Sequence, residues 1–491
     1  ILAQAISVQV RSLLLFIMQS LLGVRSCVIA SLVSCSGASA PSLVATSTSG
    51  SSFPLLNNLL TDGDNLLVSP LSISTCFSLV LPGARGETET QIRQALSYPV
   101  NSKLGRDETY AAFTASRENY NSQYPMTTAQ LEEWETAPPA IQIANSIWVD
   151  QSVSLQPVYQ ELVQDLLVVT DFQDSSASTK LNAWCSNHTN GKITQIVQPG
   201  PLPGVLIAVN AVYFKATWSY QFKKQFTGTG TFFADVSKTS AVNSASHFMH
   251  QVEYFLYTRT QTHQILALPY DGTTVEMLIA LPLDIGEGAD NRIGLSESDL
   301  TAAVASLTST RIALALPKFE FWSDYTLNDA LKAMGMVVPF DGDAADFSGF
   351  SASTKLFISK VLHKTFIAVD EFGTEAAAVT AIIIEATSVG TSKPQPILFN
   401  ADHPFLLFIH DRKDGSILFA GRVADPKPPA GSATPAFQVD GNVWSTKFGE
   451  KPKTASSTTS NSVSMLLPLA LLVCTSIMQY EPVLLQGHFD R

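Results

Sequence analysis

The sequence predicts one large domain of mixed α+β class in the middle of a 491-residue chain, with compositionally biased segments at both ends. Three observations point that way. Residues 205–214 (VLIAVNAVYF) are a nearly continuous apolar run, the mark of a strand buried on both faces. Ser69-Pro70-Leu71-Ser72 opens a helix, since proline suits the first helical position and serine the one before it. Residues 369–388 (VDEFGTEAAAVTAIIIEATS) start polar, turn small and end β-branched, so they suit a loop or a strand equally. Length alone does not force a division into several domains.

Taken in order, residues 1–50 contain Arg11 and Arg25 but no acidic residue, and two apolar runs lead to the small-residue site Ala38-Ser39-Ala40. That is the pattern of an export leader, with the folded body expected from residue 51. Residues 53–60 read as a short, clipped amphipathic helix. After the Ser69 helix, Gly83 and Gly86 break the chain, and Thr88-Glu89-Thr90-Gln91 offers a capping box before Ile92, Ala95 and Leu96 at helical spacing. Residues 101–137 are polar and read as loop. Residues 144–149 (ANSIWV) read as a strand, and residues 179–184 as a helix ending near Asn187-His188-Thr189, a glycosylation sequon that matters in an exported chain. Asn210 interrupts the run 205–214, and a buried amide must find partners.

Written as a strand, residues 374–385 place Thr374, Ala376, Ala378, Thr380, Ile382 and Ile384 on one face. Glu375, Ala377, Val379, Ala381, Ile383 and Glu385 fall on the other. One face is uncharged and dry; the other, holding both carboxylates, reads as wet. After Pro426 the composition turns to Pro, Ser, Thr and Lys, a linker over residues 427–462 that cannot bury enough apolar surface to fold. Residues 463–491 form a tail whose apolar run, 463–478, falls short of a ~20-residue bilayer span. The tail is a candidate membrane attachment.

The net charge of -12 and the absence of a Lys/Arg cluster argue against nucleic acid and against a heparin-type partner. Of five cysteines only Cys76 and Cys185 lie in the body. A bridge between them is left open, although the apolar run around Cys76 suits a buried thiol. His247 and His250 read as a surface pair rather than metal ligands, since no Cys or carboxylate set accompanies them. No phosphate loop, dinucleotide fingerprint or CxxC pair is present, so no cofactor is expected.

The stretches NLLVSPLSISTCFSLVLPGARGETETQIRQAL (65–96), VNAVYFKATW (209–218), LALPYDG (266–272), LALPKFEF (314–321), SKVLHKTFIAVDEFGTEAAA (359–378) and FNADHPFLLFIHDRKDGSILFAGRVADP (399–426) resemble the serpin family in order and spacing. The resemblance covers residues 51–426. It implies three β-sheets, about nine helices and an exposed reactive-centre loop, in a monomeric protein that is not an enzyme. Ser69, Ser72, Asn210 and His363 match the family's shutter, where the main sheet opens. A catalytic Ser/His reading is set aside because no G-x-S-x-G elbow or acidic orienter accompanies them.

Glu371, Gly373, Thr374, Ala376, Ala377 and Ala378 match the hinge of inhibitory members. The implied activity is suicide inhibition of a serine protease, in which the cut loop enters the main sheet as a new strand. The rival is a non-inhibitory carrier, chaperone or storage member, whose hinge usually carries bulky, charged or proline residues. Counted forward from Glu371, the attacked bond is Thr387-Ser388; counted back from Pro404, it is Lys393-Pro394. A taut tether favours the first, because moving the bond to Lys393 adds ~20 Å of slack at ~3.3 Å per residue. Thr387 at the cut implies an elastase-like target with a small primary pocket. The expected location is extracellular, or the cell surface if the tail anchors.

Overall fold

A computed structural model describes residues 42–432 except 62, 100–104, 125–138, 236, 239, 284–293 and 375–393. In chain order the first elements are α1 (Leu43–Leu59), β1 (Leu66–Val68), α2 (Pro70–Val80), α3 (Gly86–Ala95), α4 (Arg106–Gln123), β2 (Ala140–Asp150), α5 (Pro157–Val163), β3 (Leu167–Thr170) and α6 (Ala177–His188). The middle of the chain supplies β4 (Leu206–Thr217), β5 (Gly228–Phe233), β6 (Ala241–Arg259), β7 (His263–Pro269), β8 (Val275–Pro282) and α7 (Glu297–Ala305). Then come β9 (Thr308–Pro317), β10 (Phe319–Thr326), α8 (Asn328–Ala333), β11 (Lys360–Val369), the two-residue β12 (Gly373–Thr374), β13 (Ile397–Asn400), β14 (Phe405–Asp411) and β15 (Ile417–Val423).

Eight α-helices and two hydrogen-bonded sheets are found among the described residues. The first sheet has the order β10-β11-β12-β4-β2-β3; the second runs β1-β15-β14-β8-β7-β6-β9-β13, with β5 added on β6. The resemblance counts three sheets. Here the 19-residue β6 pairs with β7 at its end and with β5 and β9 before that, so two of the three are continuous in hydrogen bonds.

Helix α2 is buried at every position and contacts β2, β4 and β15. Its Ser and Thr hydroxyls bond backward to helix carbonyls, as Thr75 does to Leu71 (2.7 Å) and Ser78 to Thr75 (2.6 Å). Small, internally satisfied side chains let neighbouring helices approach closely. The same device explains α1, which starts at Leu43 behind the cap Ser42 instead of near residue 53. Its Ser-rich first half looked like leader, yet Ser47 meets Ser74 at 3.0 Å and Ser51 bonds back to Ser47. The folded body therefore begins before residue 51.

Two further expectations change. Residues 101–137 contain α4, whose mostly polar surface hides an apolar stripe of Phe113 and Tyr120. Thr88 does not cap α3, which begins at Gly86; its hydroxyl accepts from the Asp346 backbone at 2.8 Å. Cys76 and Cys185 are free buried thiols, as the apolar run around Cys76 suggested, and the bridge left open is not formed. Helix α6 lies across the outer face of the first sheet, packing Leu181 and Cys185 against Trp148, Ile207, Val209 and Leu362.

Candidate functional site: the seam between β4 and β11

The two central strands of the first sheet run parallel and pair from Lys360 opposite Ile207 to Thr365 opposite Val212. Above Thr365 they separate. Into the top of the gap comes β12, antiparallel to both, with Thr374 opposite Val369 on one side and Ala216 on the other, and Gly373 opposite Thr217. Gly373 is required by space, because a Cβ there would lie 2.1 Å from the Ala216 carbonyl oxygen. Thr374 is buried on the inner face, its hydroxyl 2.6 Å from that of Tyr270, whose ring stacks on Trp218 at 4.6 Å.

The turn leading to β12 is held from several sides. Lys318 Nζ donates to Glu371 Oε2 at 2.9 Å and Thr227 donates to Oε1 at 2.7 Å. Burial pushes the Glu371 carboxyl up, but Thr227 and Lys318 together bring it below its ordinary value. Backbone N–H groups of Trp218 and Phe222 donate to the carbonyls of Phe372 and Glu371 (2.7 and 2.8 Å), and the Trp218 indole donates to that of Asp370 (3.0 Å). The Asp370 carboxylate accepts from the N–H of Phe372 and Gly373. Burial nevertheless raises it to about 6.

Lower in the seam, His363, Asn210 and Asn145 form one row across β11, β4 and β2. The Ser69 backbone N–H donates to His363 Nε2 at 3.0 Å, which leaves the imidazole proton on Nδ1. Burial pulls the His363 pKa down to about 3, so the ring is neutral. Ser69 Oγ donates to the Leu418 carbonyl at 2.6 Å and accepts the Ser72 N–H at 3.1 Å; it caps α2 rather than serving the histidine, so Ser69 and His363 are not a nucleophile–base pair. Ser72 Oγ donates to Asn145 Oδ1 at 2.8 Å, and Asn145 returns a bond to the Ser72 carbonyl. Asn210 Nδ2 donates to the Leu362 carbonyl at 3.3 Å. The Cys76 thiol beside it, pushed up to about 12 by burial, gives its proton to the Val209 carbonyl. Asn210 Oδ1 and His363 Nδ1 remain buried without a partner among the described residues.

Thus the seam brings together Ser69, Ser72, Asn210 and His363 at one level and Glu371, Gly373 and Thr374 at another. Asn145 belongs to the row and was missed, although an isolated amide in the apolar strand ANSIWV carries the same signal as Asn210. Ala376, Ala377, Ala378, Thr387 and Ser388 lie outside the described residues. Asn187 is exposed at the end of α6, while Thr189 is buried with its hydroxyl on the Cys185 carbonyl at 2.7 Å. His247 and His250 sit on strand β6, not a helix, and are not a surface pair: His250 is buried against the Phe226 carbonyl. Spacing of three puts them on opposite faces of a strand.

Among the described residues, the largest parallel seam of this mixed fold is entered at its top by Gly373 and Thr374. The chain matches the family model described as serpin (serine protease inhibitor) over residues 47–426. An uncharacterised serpin-like protein of Thermococcus kodakarensis is 35% identical over 384 residues, covering 76% of this chain and 84% of that one. Human leukocyte elastase inhibitor is 31% identical over 381 residues, covering 74% and 93%. The crystal structure of the thermophilic serpin tengpin in the native state superposes with a TM-score of 0.66 at 26% identity, over 79% of this chain and 96% of that one. The chain belongs to the serpin family, whose members are inhibitors or carriers rather than enzymes.

Proposed function

We propose that this serpin inhibits a serine protease by offering the segment after Thr374 as bait and then drawing its first part into the seam. The protease serine attacks the bait carbonyl, the peptide C–N bond breaks, the new amine leaves and the serine is left esterified. The observation that carries the reading is β12. Because β4 and β11 are parallel, a strand continuing from Thr374 is antiparallel to both, and exchanges one parallel ladder for two antiparallel ones.

Extending that register gives each inserting residue a place. Positions 376, 377 and 378 would fall between Phe214 and Ile367, Tyr213 and Phe366, and Val212 and Thr365, and small side chains suit entry into a close-packed sheet. Position 380 would fall between Asn210 and His363, on the inner face. A threonine there can donate to Asn210 Oδ1 and accept from His363 Nδ1–H, the two orphaned groups of the seam. Positions 379, 381 and 383 would face α6 beside Ala211, Val209 and Ile207. Alternation alone reads that face as wet, but a strand inserted there would lie under α6, where a valine at position 379 fits.

The forward count to Thr387-Ser388, the small Ala386 and Thr387 before the cut and the likeness to leukocyte elastase inhibitor favour an elastase-like target. Leader composition and the exposed Asn187 favour export with a glycan at that residue, which glycosidase digestion of secreted protein would test by a loss of mass. The deciding experiment mixes the purified chain with pancreatic elastase and runs a denaturing gel. We expect a covalent complex and a released fragment beginning at Ser388. Clean cleavage with no complex would move the chain to the carrier class.

A further inference from the structure

We propose that residues 434–437 (TPAF) of the C-terminal linker dock on the outer face of β10 and β11 and cover the open edge of β10. The surface is an aromatic shelf. Trp322, 52% exposed, is the most exposed aromatic side chain among the described residues; its ring lies 4.6 Å from that of Phe366, and Lys192 Nζ is 5.6 Å from the Phe366 ring. Register places Trp322 opposite Phe366 and Asp324 opposite Lys364, on the same face as Leu362, which packs under α6. The strand is also an edge. The Glu320 N–H points away from β11 and donates to the Lys427 carbonyl at 2.7 Å, so by alternation the N–H groups of Trp322 and Asp324 face the same side. An exposed Trp beside an open strand edge is a liability that proteins cover.

The occupant follows from the course of the chain. Strand β1 runs alongside β10 in the same direction, since the Leu67 N–H donates to Ser323 Oγ and the Ser69 N–H reaches His363, opposite Tyr325. Strand β15 is antiparallel to β1, so the segment that follows it passes Glu320 against the direction of β10. Pro428 and Pro429 lack the N–H that would extend that ladder. The chain then reverses: the Ser432 N–H donates to the Pro429 carbonyl at 3.0 Å and Gly431 has a φ of 79°, the pattern of a type II turn. Beyond it the chain heads back along β10. Pro429 lies two residues past Lys427 and Trp322 two past Glu320, a return of ~13 Å, or about four residues at ~3.3 Å each. That brings Pro435 and Phe437 level with Trp322. Proline and aromatic rings suit an aromatic shelf, and a linker too polar to build its own core needs such a surface to become ordered.

Hydrogen exchange on the full chain gives the test, independent of whether the loop traps a protease. Amides of residues 433–439 should exchange about tenfold or more slowly relative to a synthetic peptide of residues 428–444, and the Trp322 and Asp324 amides should be protected with them. The double variant Pro435→Ser, Phe437→Ser should speed exchange at Trp322 and Asp324 about tenfold and raise acrylamide quenching of Trp fluorescence, with the melting temperature kept. Trp322→Ser should release residues 433–439 to the peptide rate, while Trp322→Phe keeps most of their protection. Exchange of 433–439 at the peptide rate in the unaltered chain overturns the inference, and so does an edge that the double variant leaves unchanged. Edge protection that falls on dilution, together with a dimer in sedimentation, would give the shelf to a second copy and overturn it as well.

Discussion

The upper and lower parts of one seam are built to opposite rules. At the top, the chain entering the sheet has its charges and hydroxyl engaged: Glu371 by Lys318 and Thr227, Thr374 by Tyr270, Asp370 by two backbone N–H groups. At the bottom, Asn210 Oδ1 and His363 Nδ1 are dry and unmatched, at a cost of ~1–3 kcal/mol each. The lesson is that the intact protein is anchored at the top of the seam and left unsatisfied lower down, where a strand inserted under the proposed mechanism would arrive. On the proposed reading, such a native state would be held kinetically, with a better-bonded state reached once the loop is cut.

The largest way to break the comparison is at the top. Thr374→Arg places a charge beside Tyr270 on the buried inner face that Thr374 already occupies, costing several kcal/mol and opposing any further entry of the strand. The variant should be cut as fast as wild type but form no covalent complex on a denaturing gel; equal trapping by both would dissociate insertion from inhibition. Next in size, Glu371→Ala leaves Lys318 buried and unpaired and should destabilise the intact protein by ~3–5 kcal/mol in urea denaturation.

A smaller effect sharpens the lower half. Thr380→Val should leave the melting temperature of intact protein unchanged and lower the stability of the cleaved form by ~1–2 kcal/mol, because only that form would place the hydroxyl between Asn210 and His363. A loss in the intact form would mean that Thr380 already has its partners there.

Acid should separate the two halves by sign. His363, depressed from 6.5 to about 3 by burial, contributes stability above pH 6.5 that is lost as pH falls through that window, at no more than ~1.4 kcal/mol per pH unit. Asp370, raised from 3.8 to about 6, works the other way: its contribution is present below pH 3.8 and is lost as pH rises through 6. In denaturation series from pH 4 to 7.5, His363→Gln should flatten the acid loss and Asp370→Asn should steepen it. The same slope in both variants would contradict the assignment.

Much of this was legible in the sequence, for reasons that differ by region. The β4 run is apolar on both faces, so its strand and its buried Asn210 could be read from composition alone. Family resemblance supplied the hinge and shutter residues, and the seam assembles those within the described residues at two levels. What stayed hidden depends on partners distant in sequence. The Ser-rich start of α1 looked like leader because its packing surface, Ser74 on α2, lies 27 residues away. Alternation alone could not tell that a strand extended down the seam would have α6 over its outer face, and Asn145 gained meaning only from its place opposite Asn210.

The central claim is tested most directly by the crystal structure of the chain after cleavage in the loop. The account predicts β4 and β11 one strand apart, with Thr380 Oγ within hydrogen-bond distance of Asn210 Oδ1 and His363 Nδ1. A cleaved protein in which His363 still pairs directly with Asn210 across a closed seam would contradict it.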